Sequence, residues 1–183
     1  MPTVARVYDN YADAVSVVKA IEADTAIAPS REISLVANEN ARGRETTTET
    51  TETETERHPG TGAGVGATVG GVVGILTGLG LLAIPGVGPL VAAGWLATTL
   101  AGVGVGAAAG GLIGALVKSG VPHEQAEVFE ENVRRGGTLV AVQADEADVP
   151  HIEQIMASRA SRNWQTDRTT FMESGWKPSS PTA

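Results

Sequence analysis

The pattern of apolar and polar positions predicts an α/β unit at the start of the chain. Residues 3–8 are rich in β-branched and aromatic side chains, which indicates a strand. Residues 11–23 place apolar side chains on one helical face, and Asn10 before them is a suitable N-cap. Residues 32–37 indicate a second strand. We therefore expect residues 1–40 to form a β-α-β unit.

The same patterns return after a long uncharged stretch. Residues 123–135 have the apolar spacing of a helix that starts after Pro122, and residues 137–143 read as a short apolar strand. A last helix is predicted from Asp148 to about residue 160. Residues 119–160 thus supply the second half of the domain as α-β-α.

The remaining residues, 161–183, form a polar C-terminal tail. Three aromatic side chains in this tail are suited to dock back onto the domain: Trp164, Phe171 and Trp176. The chain is frayed from Pro178 onward in this interpretation.

These elements predict an α+β fold. The order β-α-β, insertion, α-β-α indicates a small ferredoxin-like two-layer α/β sandwich, with helices on one face of a sheet of three or four strands. The pattern does not locate a fourth strand.

A low-complexity segment separates the first half of the domain from the insertion. Residues 45–56 alternate between threonine and glutamate, and no apolar face is available for burial. Like charges along such a segment repel one another and favour a solvated chain. We expect residues 41–59 to be a disordered linker.

The stretch from Pro59 to Val117 contains no charged residue. Two prolines and two glycines break it near its middle, at Pro85, Gly86, Gly88 and Pro89, and predict a tight turn. At about 1.5 Å per residue, a first helical arm over 62–84 and a second over 90–117 would be about 34 and 42 Å long. Each could cross a hydrocarbon core of about 30 Å. We expect residues 60–118 to form a helical hairpin.

Small residues recur at every fourth position of both arms, which is helical spacing. We call these positions the glycine zipper; with Thr98, they are Gly62, Gly66, Gly70, Gly74, Gly78, Gly94, Gly102, Gly106, Gly110 and Gly114. Side chains this small let two helix backbones approach closely. The larger side chains lie off the zipper and are expected to face lipid or a protein partner; on the second arm they are Leu96, Leu100, Leu112, Ile113 and Leu116.

Composition narrows the classes of function. The 183 residues include no cysteine, which excludes disulfides, thiolate metal sites and cysteine nucleophiles. The net charge is −8, so the chain lacks the basic surface of a nucleic-acid-binding protein. The first residues do not have the pattern of a signal peptide, so the α/β domain is expected in the cytoplasm.

No group of residues predicts catalysis, a cofactor or a metal. The three histidines, His58, His123 and His151, lack metal-ligand spacing. Four carboxylates look like a charged helix face, namely Glu124, Glu127, Glu130 and Glu131, while Asp145, Glu146 and Asp148 look like helix-capping residues. The dinucleotide fingerprint is matched only in part, at Gly62, Gly64 and Ala67, and no strand is predicted before it.

Both halves of the α/β part resemble bacterial general stress proteins that carry a heat-induced stress domain. The similar motifs are Gly-Val-Pro at 120–122, Arg-Arg-Gly-Gly at 134–137 and Leu-Val-Ala-Val at 139–142, with further similarity at 7–14 and 33–36. Many relatives have a glycine-rich hydrophobic insertion at the same place. The resemblance covers residues 4–160, and it implies stress association and membrane character without catalytic residues or a cofactor.

The sequence therefore predicts a non-enzymatic, stress-associated homo-oligomer that assembles through a glycine-zipper hairpin anchored in a membrane. Two alternatives stay open. One is a soluble structural assembly, such as a shell or filament, with the hairpins buried inside. The other is a small-molecule-binding regulatory domain, which rests on fold analogy alone.

Overall fold

The computed structural model describes residues 1–38, 80–84, 88–102 and 111–179. The described strands are β1 (Thr3–Tyr8), β2 (Glu32–Asn38), β3 (Gly80–Ile84), β4 (Gly88–Ala93) and β5 (Thr138–Gln143). The described helices are α1 (Tyr11–Ala23), α2 (Trp95–Gly102), α3 (Gly111–Lys118), α4 (His123–Arg134), α5 (Val149–Ala157) and α6 (Trp164–Glu173). The strands form one five-stranded sheet of order β1-β5-β2-β4-β3, in which all neighbours are antiparallel.

Strand β5 lies between β1 and β2, and both of its faces are buried. Leu139 and Ala141 point to one face, and Val140 and Val142 point to the other. A strand covered on both faces needs apolar residues at successive positions, which explains the unbroken Leu-Val-Ala-Val sequence.

Helices α1 and α5 cover one face of the sheet. The Asn10 side chain caps α1 by accepting a hydrogen bond from the Asp13 N–H at 2.8 Å. The buried side of α1 then follows helical spacing, with Ala14, Val17, Val18 and Ile21 against the sheet and α5.

Helices α2, α3 and α4 cover the opposite face. Their buried side chains form a cluster with Val7, Val36, Leu139 and Ala141 of the sheet. The molecule thus has three layers, helices on both sides of one sheet.

The predicted strands and helices of the α/β part are confirmed, and so is the α+β class. The prediction of two layers is wrong, because a sheet that is apolar on both faces requires helices on both. Strands β1 and β2 are joined through α1 with β5 between them, a split β-α-β unit of the kind found in ferredoxin-like folds. In the described part of the chain, two strands and two helices lie between β2 and α4, and the full ferredoxin-like order is not confirmed.

The structure also corrects the prediction of two long helices in the part of the insertion that it describes; residues 62–79 of the first predicted arm lie outside the described residues. Residues 80–84 and 88–93 are strands, and β4 pairs with the free edge of β2 from Leu35 to Asn38. The chain reverses direction between Ile84 and Gly88, where the turn was predicted. Pro89 lies beyond the last residue that pairs with β2, so its missing N–H breaks no bond to that strand.

The physical reason for this difference is the open sheet edge. An apolar segment next to an unpaired strand gains a ladder of backbone hydrogen bonds, whereas glycine-rich sequence forms isolated helix poorly. These two strands are the ones that the pattern of the domain did not locate.

The C-terminal tail contains a helix, α6, that the polar composition concealed. The expected docking of its aromatic residues is confirmed: Trp164 packs against the core, Phe171 is buried, and Trp176 meets the Phe171 ring edge-on at 6.0 Å between centroids. The Asn163 side chain caps α6 by accepting hydrogen bonds from Gln165 and Thr166.

Candidate functional site

Within the glycine-rich insertion, the chain leaves the sheet at the bend between β4 and α2. Gly94 has a φ of +82°, and a Cβ at this position would lie 2.0 Å from the Ile33 carbonyl oxygen of β2. The next turn is held by the Ser34 hydroxyl, which accepts a hydrogen bond from the Leu96 N–H at 3.0 Å. Gly94 was predicted to pack a helix against a helix, but here it allows a helix to start against a strand.

The large side chains of the second arm face the domain itself. Leu96, Leu100, Leu112 and Leu116 are buried in the cluster with the sheet and α4, and Ile113 packs beside them. The expectation that these residues face lipid or a partner is wrong. Without them, the apolar side chains on this face of β2 and β5 would be exposed to water.

The outer side of α2 and α3 carries small side chains, although Ala115 of α3 is buried in the core. Gly114 is exposed, and a Cβ added to it meets nothing within 4 Å among the described residues. Thr98 on α2 is also exposed, as is Val117 at 40%. Within the described residues, no helix of the same chain packs over Gly114.

The other predicted zipper positions fall mainly outside the described residues. Those outside are Gly62, Gly66, Gly70, Gly74, Gly78, Gly106 and Gly110, together with Pro85 and Gly86 of the predicted turn. Gly102 is the last residue of α2, and Gly88 and Pro89 begin β4.

The four glutamates of α4 do not form a solvated face. Glu127 and Glu131 are buried at 4% exposure each. Glu127 accepts a hydrogen bond from the Ser179 hydroxyl at 2.6 Å, and Glu131 accepts from the Nε groups of Arg134 and Arg135 at 2.7 and 2.6 Å. The four glutamates do lie on one helix, as predicted, but other side chains of the protein bind and bury two of them.

The other two glutamates connect α4 to its neighbours. The Glu124 carboxylate pairs with Arg168 of α6 at 3.3 Å. The Glu130 carboxylate accepts a hydrogen bond from the Ile113 N–H in the first turn of α3, also at 3.3 Å. A carboxylate at this position suits the positive end of the helix dipole.

Burial raises the pKa of Glu130 above its usual range, against the opposing effects of the Ile113 hydrogen bond and of Arg134. The carboxylate thus stabilises the start of α3 while its own charge is partly desolvated.

Histidine and aspartate side chains form structural contacts on the opposite face. His151 Nε2 lies 2.8 Å from Asp24 Oδ2, and this hydrogen bond lowers the pKa of Asp24. Asp148 occupies the N-cap position of α5, as predicted, but its side chain makes no capping hydrogen bond. The Asp148 and Asp145 carboxylates instead accept hydrogen bonds from the Ala28 N–H and the Ser30 hydroxyl in the loop before β2.

No group of metal-ligating side chains occurs within the described residues. Among the helices in that part of the chain, none combines the length and the apolar character that crossing a bilayer requires.

Comparisons with protein-family models, with curated proteins and with solved structures give no match to this chain. Any functional assignment therefore depends on the chain's own residues.

Proposed function

We propose that this is a non-enzymatic, stress-associated protein that self-assembles through the glycine zipper of its insertion. The observation that carries the proposal is the outer side of α3, where Gly114 leaves open space in a stretch that has no charge before Lys118. A surface of glycine and threonine lets the backbone of another helix come close, and the resulting contacts are dispersion and weak Cα–H···O interactions.

The insertion has two roles in this proposal. Its large side chains complete the core of the α/β domain, because Leu96 and Leu112 are fully buried there. Among the described small residues, Thr98 and Gly114 are exposed, and in this proposal they are available to a second copy. This division explains why glycine recurs at helical spacing in spite of its cost of about 1 kcal/mol per position.

The stress association comes from the resemblance alone. The motifs at 120–122, 134–137 and 139–142 lie in and around α4 and β5. In this proposal the α/β domain is cytoplasmic and has no cofactor.

The proposal is tested by replacing two zipper glycines, Gly70→Leu with Gly106→Leu, in the full chain. We expect the variant to lose the oligomer in analytical ultracentrifugation and to keep the circular dichroism of the α/β domain. The matched control is Val73→Leu with Val105→Leu, which adds bulk off the zipper. An unchanged oligomer in the zipper variant, with the domain folded, would contradict the proposal.

Membrane attachment is a second candidate, favoured by the absence of charge from Pro59 to Val117. The zipper before β3 covers the 17 positions from 62 to 78. As a helix this is about 25 Å, which is shorter than a hydrocarbon core of about 30 Å, so attachment would require local thinning of the bilayer.

Flotation with phospholipid vesicles distinguishes a membrane-attached protein from a soluble assembly. A membrane-attached protein floats with the vesicles and stays with them after a carbonate wash. A soluble shell or filament stays at the bottom of the gradient in large particles, and this outcome is favoured by the inward-facing leucines of the second arm.

A further inference from the structure

A cavity of about 380 Å³ runs along the outer side of strand β1. Its walls come from three elements around the strand, and they include Thr3, Arg6, Phe129, Glu153, Asn163 and Trp164. This volume lies within the usual range of ligand sites, about 300–1,000 Å³. None of the described residues that line it belongs to the glycine zipper.

The hydrogen bonds of β1 show which of its backbone groups face this cavity. The Pro2 carbonyl accepts a hydrogen bond from the Ala144 N–H, and Val4 lies opposite Val142. In an antiparallel ladder, alternate residues turn both backbone groups toward the same neighbour. Val4, Arg6 and Tyr8 are therefore paired with β5, and the backbone groups of Thr3, Ala5 and Val7 point away from the sheet.

The chain covers only one end of this edge. The Arg162 N–H donates to the outward Val7 carbonyl at 2.8 Å, and Ser161 forms a single antiparallel bridge to Tyr8. At Asn163 the chain turns into α6 and leaves the edge. Across the described residues, no backbone group pairs with the outward groups of Thr3 and Ala5.

The two sides of the edge differ in chemistry. On the α4 side the cavity is lined by Val121, Phe129 and Trp164. On the α5 side lies Arg6, which shares its face of β1 with Val4 and Tyr8 and donates a hydrogen bond to the Ser161 hydroxyl.

Arg6 is the cation of this site that is open to a new partner. Arg162 is already paired with Asp9 at 2.8 Å and Asp167 at 3.0 Å, whereas Arg6 has no carboxylate within 4.0 Å in the part of the chain that the structure describes. Among the described residues, Glu153 is the one carboxylate that lines the cavity, and it repels a ligand acid placed beside it.

We propose that the β1 edge binds an extended peptide of a partner protein, added as a sixth strand, in which apolar side chains alternate with an acidic one. Backbone hydrogen bonds to Thr3 and Ala5 hold the peptide. Its apolar side chains pack on the α4 side of the cavity, against Phe129 and Trp164, and its carboxylate pairs with Arg6 on the α5 side. Side-chain alternation in a strand delivers the two kinds of group to opposite sides of the edge.

The test uses the full chain and the probe acetyl-Thr-Val-Glu-Val-Thr-amide, followed by NMR titration. We expect saturable shifts at Thr3 and Ala5 with the probe at or below about 1 mM. Exchanging the probe's Glu for Lys should weaken binding at least tenfold. Arg6→Gln should weaken binding of the original probe about fivefold, and Glu153→Gln should strengthen it.

Two further measurements distinguish strand addition from loose contact. N-methylation of the two Val amides and N-methylation of the Glu amide should weaken binding of the probe to different extents, since only one set of amides faces β1. Ala5→Pro removes the outward N–H, leaves the β5 ladder complete, and should weaken binding tenfold or more. Because the methylated probes use the unaltered protein, they give an answer even if Ala5→Pro does not fold. No saturable shift, or equal binding of both methylated probes, would overturn the proposal.

Discussion

Helices α2 and α3 on one face of the sheet differ in surface character from α1 and α5 on the other face. On one face, α1 and α5 have buried apolar side chains and charged or polar outer ones, such as Lys19, His151 and Glu153. On the other, α2 and α3 bury leucines and present glycine, threonine and valine outward. The inner sides of these helices are all apolar, whereas their outer sides are charged or polar in α1 and α5 and largely uncharged in α2 and α3.

This difference shows that burial and surface chemistry are separate properties of a helix. The insertion looks like an appendage because it has no charged residue before Lys118, yet its leucines complete the core that α4 alone leaves open. Among the described residues, Thr98, Gly114 and Val117 on its outer side are exposed, and folding alone does not explain why this side carries no charge before Lys118.

The largest effect is expected from truncating the core on the insertion face. Leu96→Ala should lower the free energy of unfolding by about 2–5 kcal/mol, as much as Ile21→Ala on the opposite face, because both side chains are fully buried. Urea denaturation of the two variants measures this. If Leu96→Ala changed the unfolding free energy by less than about 0.5 kcal/mol, α2 would not belong to the core.

Two glycines of the zipper should respond in opposite directions. Gly94→Ala should cost about 1–3 kcal/mol or more, because φ is +82° and the added Cβ would overlap the Ile33 carbonyl. Gly114→Ala should raise the free energy of unfolding by up to about 1 kcal/mol, since its Cβ meets open space and alanine favours helix. Thermal unfolding measures both, and equal effects would mean that the two positions have the same environment.

Removing the Ser34 hydroxyl tests how α2 is attached to β2. Ser34→Ala leaves the buried Leu96 N–H without its acceptor, which should cost about 1–3 kcal/mol. Hydrogen exchange at the Leu96 amide should become faster in the variant. Unchanged exchange would show that another group accepts this hydrogen bond.

The smallest effects are on the pH dependence of stability. The contributions of Glu130 on one face and Asp24 on the other should have opposite signs. The raised pKa of Glu130 contributes stability below the usual carboxyl pKa of 4.5, and this is lost as pH rises through the folded-state pKa. Glu130→Gln should therefore be slightly more stable than the parent at neutral pH. The lowered pKa of Asp24 contributes stability above 3.8, which is lost as pH falls through the folded-state pKa, and Asp24→Asn should remove it. Denaturation at several pH values measures both, and the same sign for both would contradict the assignment.

Sequence patterns predicted most of the α/β part because its helices have one polar side and its strands are short apolar runs. The periodicity located α1 from Tyr11 to Ala23 and β5 around Leu139, where local preference and burial agree. Helix α6 was missed because most of its outward residues are polar, and only Phe171 and Asp167 are buried.

The insertion was predicted less well for a physical reason. Without charged residues, nothing in residues 80–93 distinguishes a buried strand from a buried helix, and glycine spacing favoured the wrong one. The decisive factor was the open edge of β2, which lies far away in sequence. The groove beside β1 was also missed, since it depends on where residues 161–163 leave the sheet.

The most direct test of self-assembly through the outer side of α3 is the oligomeric mass of Gly114→Leu, with Thr169→Leu on exposed α6 as the matched control. Both add the same side chain to an exposed helix, and neither position is in the core. Native mass spectrometry should show that Gly114→Leu loses the wild-type oligomer while its melting temperature is retained, and that Thr169→Leu keeps the oligomer. A wild-type mass for folded Gly114→Leu would contradict the account.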